Sequence, residues 1–506
     1  WDKGIMTATF QYVDGVCGSG KTYTAIGKMA FLVKSGSSAI YVTNTKALLK
    51  QTETQLEALK VATVLTIADC PADPNYQSII QKITSTLSES RTYPCVFLCT
   101  TESLIRSASQ LEQHAKLPLY IDEGFRISDA GEINCNTEQE AQGIAFKIRQ
   151  SDIKPSGYVD HNDYKLPVDQ TKLLQYLSNP LTTVQVTVAK SKFQWISSLD
   201  VRAFSSKFSS VTLLAACHED TLQYHAIKSS GCSQVKLDWG LKTSHYTSGS
   251  VEVLWVLEDA EWRTTKVKAN RGKSEEGYDE IERLVIHFEW RCLQADKDLG
   301  DAVVVTPEFT NVKQVAGMGE HLPVQAHGMN NYTHLHNHID LHTQMPMPFL
   351  SNFYKDQYGM SEEEIRRSCY HYDRYQAALR VSLRISDDKS HVFCFGDKPT
   401  AQYFVSKLDP RVNVSTDMLW NKLSWDTSGR ATYSNRVSEN TTEQKNRSAD
   451  RKRLRKANPS LATEVEDRLL NYFRDQRRTW IANGISSNIT IKIIREQIRT
   501  ELEETP

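Results

Sequence analysis

The chain has 506 residues, 40% of them hydrophobic and 24% charged, with a formal net charge of -1. This length is too great for one core, so two or three domains are expected. The neutral balance excludes a global pull toward polyanions, so any nucleic-acid site has to be a local groove or patch.

Residues 9–13 read as a strand. They feed Gly15-Val16-Cys17-Gly18-Ser19-Gly20-Lys21-Thr22, which fits G-x-x-x-x-G-K-[ST] at every fixed position. The glycines let backbone N–H groups curl around a phosphate, Lys21 can reach the β and γ oxygens, and the Thr22 hydroxyl can ligate Mg²⁺. Residues 24–32 read as the helix whose N-terminus receives the phosphate. A glycine-rich turn is the plainer alternative.

Strand and helix patterns then alternate. Residues 38–43 are a short β-branched strand, 45–51 are helical, and 61–65 form another strand. Residues 75–88 carry helical spacing, and 95–101 read as a buried strand. Such alternation implies a parallel sheet with helices on both faces and ligands at the carboxyl ends of its strands. Residues 117–121 form a further apolar strand that runs into Asp122 and Glu123. Opposite a phosphate loop, Asp122 is suited to hold a metal through water and Glu123 to polarise an attacking water. By itself the pair also fits a solvated strand end.

With these two signals the chain resembles superfamily 2 helicases and translocases of the DEAD/DEAH-like group, the phage- or plasmid-type replication helicases most of all. The resemblance runs over residues 8–400 as short motifs in the family's order. Residues 43–51, with Thr45 and Lys46, resemble motif Ia, and Thr100 and Thr101 open a stretch resembling motif Ib. In that family both loops touch the nucleic-acid backbone, although a threonine at a strand end is equally a helix cap. Residues 210–217 resemble motif III but lack its hydroxyls, which removes the usual hydrogen-bonded link to the Asp-Glu pair.

Between 126 and 205 the pattern loosens, with strand alternation at 183–188, and an inserted subdomain is expected. A boundary falls near 231–250. Residues 251–256 open a second alternating pattern, a helix is expected at 278–292, and 302–307 resemble motif IV. Gly328 and Asn330 lie in a stretch resembling motif V, near both nucleotide and nucleic acid in the family. His334, His336, His338 and His342 follow at strand-like spacing, and with only Asp340 beside them they make a weak case for zinc. Gln376, Arg380 and Arg384 resemble motif VI, with Leu379 in place of the usual glycine and Arg384 one position late. The resemblance makes Arg380 an arginine finger. An amphipathic helix with two solvated arginines is the alternative. Residues 391–397 read as a closing strand.

The expected fold is therefore α/β, with two tandem RecA-like parallel-sheet lobes, an insertion in the first and a basic helical C-terminal tail. Residues 1–235 form the first lobe, 236–405 the second, and 406–506 a polar linker and basic accessory region. The resemblance implies ATP and Mg²⁺ as cofactors, single- or double-stranded nucleic acid as partner with DNA favoured, and replication proteins as further partners. Ten cysteines without a CxxC pair suit reduced thiols. No apolar run has the length of a membrane span and no signal peptide is visible, so a cytoplasmic location is expected, the host cytoplasm if the chain is phage-encoded. The chain starts at Trp1 with a strand almost at once, and elements that normally precede that strand, the adenine-reading segment among them, are expected to be missing. Two other functions share parts of this pattern. A viral DNA-packaging ATPase has the loop and the Asp-Glu pair, but wants a carboxylate cluster for nuclease work that 250–400 do not supply. A GTP-dependent switch wants N-K-x-D, and Asn421-Lys422-Leu423-Ser424 lacks the Asp.

Overall fold

The computed structural model describes residues 9–61, 64–66, 93–107, 117–151, 179–258, 302–305, 332–343, 345–385 and 388–419, with scattered positions between these ranges. It divides into two compact units. One comprises residues 1–244 with 327–329 and 346–373; the other comprises 245–326, 330–345 and 374–506. The expected helices at 75–88 and 278–292 fall largely outside the described residues. So do the motif V stretch with Gly328 and Asn330, and the basic tail beyond 419.

The strands of the first unit are β1 (Thr9–Asp14), β2 (Ala39–Thr43), β3 (Val64–Thr66), β4 (Val96–Thr100), β5 (Pro118–Asp122), β6 (Ser128–Asn134), β7 (Thr182–Ala189), β8 (Lys192–Leu199), β9 (Ser210–Ala215) and β10 (Ser233–Lys236). Those of the second unit are β11 (Ser250–Leu257), β12 (Ala302–Val305), β13 (Glu320–His321), β14 (Asn337–Asp340), β15 (His391–Asp397) and β16 (Asn413–Met418). Seven strands of the first unit form one sheet in the order β10-β1-β9-β5-β2-β4-β3, and every pairing is parallel. The second unit has a six-stranded sheet, β13-β12-β14-β15-β11-β16, again parallel throughout. The architecture is thus α/β with two parallel-sheet lobes.

A parallel sheet is covered on both faces, so its strands are apolar at nearly every position. All five residues of β2 are buried, as are all seven of β15. Side chains alternate across the sheet. In β2, Ile40 and Val42 join Phe10, Phe97, Ile121 and Leu213 on one face. Ala39 and Tyr41 point to the other face, where they meet helices α1 (Lys21–Lys34) and α2 (Lys46–Ala58). From α1 this face takes Ala25, Ile26, Met29, Ala30 and Val33. Each fully buried Ile, Met or Val contributes about 1.5–3 kcal/mol, which outweighs the roughly 1 kcal/mol that Gly27 costs inside the helix.

The stretch between β5 and β9 carries a separate antiparallel sheet, β6-β8-β7, which accounts for the loosened pattern. One face packs on helix Glu138–Ser151 through Ala141, Ala145, Phe193 and Trp195. The other places Ile196 against Phe353 and Tyr354 of helix Pro348–Tyr358, Ile365 of helix Glu362–Arg366, and Met360 between the two. Both faces thus carry apolar contacts, although Thr183, Gln185 and Thr187 of β7 stay exposed. Gly131 lies opposite Trp195, and a Cβ there would sit 2.6 Å from the indole, so the close approach requires glycine.

In the second unit, Asp397 ends β15 and caps the helix Lys398–Val405, its Oδ1 accepting from the Thr400 amide at 3.1 Å. Asp340 ends β14 and is wholly buried. It accepts from Nη1 of the equally buried Arg374 at 2.9 and 3.0 Å, and from the His342 amide at 3.0 Å. Burial alone would raise the Asp340 pKa. The Arg374 charge, helped by His338 and His342, outweighs it and holds the carboxyl at about 2. The folded value lies below the ordinary one, so this pair stabilises fully above about pH 4 and its contribution is lost as the pH falls through about 2. Arg374→Met strands a buried carboxylate. The variant is expected to lose about 3–5 kcal/mol in urea unfolding at pH 7, and the gap from the parent should narrow as the pH approaches 2.

Candidate nucleotide site

The site is built at the carboxyl ends of β1 and β5, which flank β9 in the first sheet. From β1 the chain builds the sheet's strands from β2 to β9 on one side, and only β10 is added on the other, so the carboxyl end of β1 lies at a switch point of the kind where open α/β sheets bind ligands. The loop from Gly15 follows β1 directly. Gly18 and Gly20 have φ of 74° and 91°, conformations that side chains with a Cβ resist. Gly20 is the N-cap of α1, and having no side chain it leaves the first amides of the helix without a side-chain cap from its own position. The Lys21 ammonium donates to the carbonyls of Gly15 at 2.9 Å and Val16 at 2.8 Å, with Ser19 Oγ at 3.4 Å. The loop's far side is tied by the Val16 amide donating to the Lys242 carbonyl at 3.1 Å.

Thr22 and Asp122 are a hundred residues apart in the chain, and the sheet brings them together. The Thr22 hydroxyl donates to Asp122 Oδ2 at 2.5 Å. A third group arrives at the same oxygen: the Tyr41 hydroxyl of β2 donates to it at 2.6 Å. Oδ1 accepts from the Glu123 amide at 3.0 Å. Asp122 is 2% exposed. Burial, then the charge of Glu123, push its carboxyl above the usual range, while Thr22, Tyr41 and Lys21 pull it back down. Glu123 itself has a φ of 61° and is followed by Gly124 at 76°. Two successive left-handed residues turn the chain sharply at the strand end, and the non-glycine one is a strained conformation of the sort that clusters at functional sites.

In the motif III-like strand β9 the Thr212 hydroxyl is turned to Gln11, donating to its Oε1 at 3.3 Å, and a link to the acidic pair runs through backbone: the Glu123 amide donates to the Leu214 carbonyl at 3.2 Å. Beyond it, the His218 amide donates to Asp14 Oδ1 at 3.2 Å, which ties the turn after β9 to the last residue of β1. Thr45 and Thr100 both act as helix caps. Thr45 Oγ1 accepts from the Leu48 amide at 3.3 Å, and Thr100 Oγ1 from the Ser103 amide at 3.3 Å. Lys46 is exposed beside the first cap, and Thr101 is buried at the start of helix Thr101–Ser107.

The motif VI-like residues belong to the second unit's described part. Gln376 is buried near the end of helix Tyr372–Ala378. The helix stops there, so Arg380 lies in the turn that follows, with its amide donating to the Ala377 carbonyl at 3.1 Å. Leu379, Val381 and Leu383 are each 0% exposed, and Arg380 and Ser382 between them are buried too, so the stretch after the helix is buried at every position. Arg380 is 4% exposed, which rules out a solvated arginine on a continuous helix. Arg384 is half-buried in the short 3₁₀ turn Ser382–Ile385.

The histidine spacing is corrected. β14 begins only at Asn337, so His334 and His336 precede the strand and do not share its face with His338. His336 Nδ1 is bonded to Ser382 Oγ at 2.6 Å, and burial followed by the Arg374 charge lowers the His342 pKa to about 4. Among the described residues no group of three or more His, Cys, Asp or Glu side chains could hold a metal ion. The described cysteines are free thiols. No described helix is long and apolar enough to cross a membrane.

Residues 7–148 match the family model described as type III restriction enzyme, res subunit. No curated protein matches the chain by sequence. Among solved structures, the chain is similar to an XPD helicase at 11% identity, covering 81% of this chain and 96% of that one with a TM-score of 0.44. S. tokodaii Xpd4 follows at 9% identity over 81% of this chain and 96% of that one, TM-score 0.43. S. cerevisiae Dbp5 bound to RNA and ADP BeF3 matches at 10% identity over 82% and 86%, TM-score 0.35. The two-sheet architecture itself rests on the strand pairings above.

Thr22→Val removes a charge-assisted hydrogen bond from a buried carboxylate. It is expected to cost about 1.5–3 kcal/mol in urea unfolding without nucleotide, and a loss under about 0.5 kcal/mol would mean that Asp122 does not depend on the loop.

Proposed function

We infer that this chain is an ATP-dependent nucleic-acid helicase or translocase acting on DNA in replication or repair. The observation that carries the reading is the meeting of Thr22 with Asp122, which puts a phosphate loop and an acidic strand end within one hydrogen bond. The match of residues 7–148 to the restriction-enzyme res subunit model supports it, as does the order of the motif-like stretches.

On this reading Gly15, Gly18, Ser19, Gly20 and Lys21 cradle the phosphates of ATP. The Lys21 ammonium exchanges the carbonyls of Gly15 and Val16 for β and γ oxygens. Thr22 and Asp122 fit Mg²⁺, since both present hard oxygen donors side by side in a buried spot beside the loop. The bound ion would supply positive charge to the β and γ oxygens. Glu123 orients the attacking water and accepts its proton, and its fixed left-handed backbone sets the direction from which it does so. Arg380 supplies the permanent charge that offsets the transferred phosphoryl group, with Gln376 beside it in sequence and Arg384 and the motif V residues Gly328 and Asn330 as further nucleotide contacts. Thr45, Lys46, Thr100 and Thr101 contact the nucleic-acid backbone, Lys46 by charge.

An ATPase assay with single-stranded DNA, duplex DNA, RNA or no polymer tests the reading, followed by strand displacement. Stimulation by DNA is expected. Turnover indifferent to every polymer would favour a packaging ATPase or a nucleotide switch.

Lys21→Ala and Glu123→Gln should each lower stimulated turnover by about 100-fold or more with unchanged circular dichroism; parent-like turnover in either one would overturn its assignment. Arg380→Ala should cut turnover by about 10³ while nucleotide affinity changes little. Equal losses in both would remove the finger role.

A further inference from the structure

Tyr41 lies in the middle of β2, 0% exposed, with a phenol hydroxyl among the apolar Ala39, Ile40 and Val42. A buried hydroxyl is costly unless it is paired. The pairing register explains how this one is satisfied. Tyr41 stands opposite Tyr120 of β5, and Asp122 lies two residues further along the same face, so the phenol reaches diagonally to the carboxylate. Burial, then the Asp122 charge and this bond, hold the phenol well above its ordinary pKa, so it stays a protonated donor. Thr52 of α2 also meets the phenol, and the Glu123 charge adds to that of Asp122.

Asp122 Oδ2 therefore takes two hydroxyls, from α1 and from β2, while Oδ1 takes the Glu123 amide. The two hydroxyl donors are not equivalent. Thr22 is the residue that the nucleotide reading turns toward Mg²⁺, and a hydroxyl that ligates a cation through its oxygen is no longer free to stay in its present arrangement. Tyr41 has no such second task. It belongs to the central part of a buried strand and not to the loop itself, and its ring packs in the core on the α1 and α2 face.

Resting on the reading of the loop as a Mg²⁺–ATP site, we propose that Tyr41 is a positioning residue for the metal. Its hydroxyl keeps the Asp122 carboxylate oriented when Thr22 is engaged with the ion. Groups that orient a metal-holding carboxylate typically change metal affinity by about 10–100-fold when removed. Tyr41→Phe deletes this one oxygen and keeps the ring that the core packs against.

The test uses the full chain and a fluorescent ATP analogue, with Mn²⁺ titrated in and bound metal read by electron paramagnetic resonance. In Tyr41→Phe the Mn²⁺ midpoint is expected to rise by about 10-fold or more, while analogue affinity in EDTA stays within about twofold of the parent. An unchanged midpoint, even with a lower melting temperature, overturns the proposal and leaves Tyr41 a structural residue. A parent chain that binds the analogue without any dependence on metal overturns the underlying reading and the proposal with it. Should Tyr41→Phe fail to fold, 3-fluorotyrosine at position 41 keeps the hydroxyl, and its ¹⁹F resonance should shift when Mg²⁺ is added to the analogue complex. A resonance that does not move overturns the proposal.

Discussion

The contact between Thr22 and Asp122 is the constraint on which the candidate site depends. It exists because β1, β9 and β5 lie side by side with parallel register, Asp14 level with Ala215 and Asp122 level with Leu214. The carboxyl ends of three strands are thereby brought to one height. A slip of one residue in either pairing would turn Asp122 to the opposite face of the sheet. The register is in turn secured by burial on both faces, because every alternate residue of these strands belongs to one or the other core cluster. The chemistry at the edge of the sheet is thus specified by apolar packing in its middle.

Much of this was legible from the sequence, for reasons that differ by element. The phosphate loop was legible because each fixed position answers to a local demand: positive φ at Gly18 and Gly20, a long cation at Lys21, a hydroxyl at Thr22. The parallel strands were legible as short apolar runs, and β2, β4, β5, β9, β11, β12 and β15 all fall where such runs do. Strand order was not, since nothing local in β9 says that it lies between β1 and β5. Tyr41 escaped notice for a related reason. In a strand buried on both sides an aromatic residue reads as packing, and only the register reveals that its hydroxyl meets a carboxylate eighty-one positions away.

The failures have equally physical origins. The histidine ladder at 334–342 assumed a strand from its first member, but β14 is only four residues long and starts at Asn337. β6 escaped because Ser128–Asn134 is largely polar, and its pairing with β8 compensates for a weak pattern of its own. The motif VI-like stretch is helical only up to Ala378, beyond which Leu379 to Leu383 form a turn buried at every position. Arg374 was invisible as a partner of Asp340 because the pair is joined only by tertiary packing across thirty-four residues.

That last pair shows how the two units treat a carboxylate at a strand end differently. Asp340 and Asp122 both end parallel strands and both are buried. Asp340 is answered by a full positive charge, so its pKa falls and the negative charge is already compensated. Asp122 is hydrogen-bonded by hydroxyls and an amide, neutral donors that orient it, and these together with the Lys21 charge do not outweigh burial and the Glu123 charge, so its pKa rises. A carboxylate left in that condition is under-compensated in the protein alone, and a cation arriving beside Thr22 would relieve the burial cost that the fold has imposed. On the proposed reading, Asp122 is the carboxylate that a cation completes, whereas Asp340 is already completed by Arg374 within the framework.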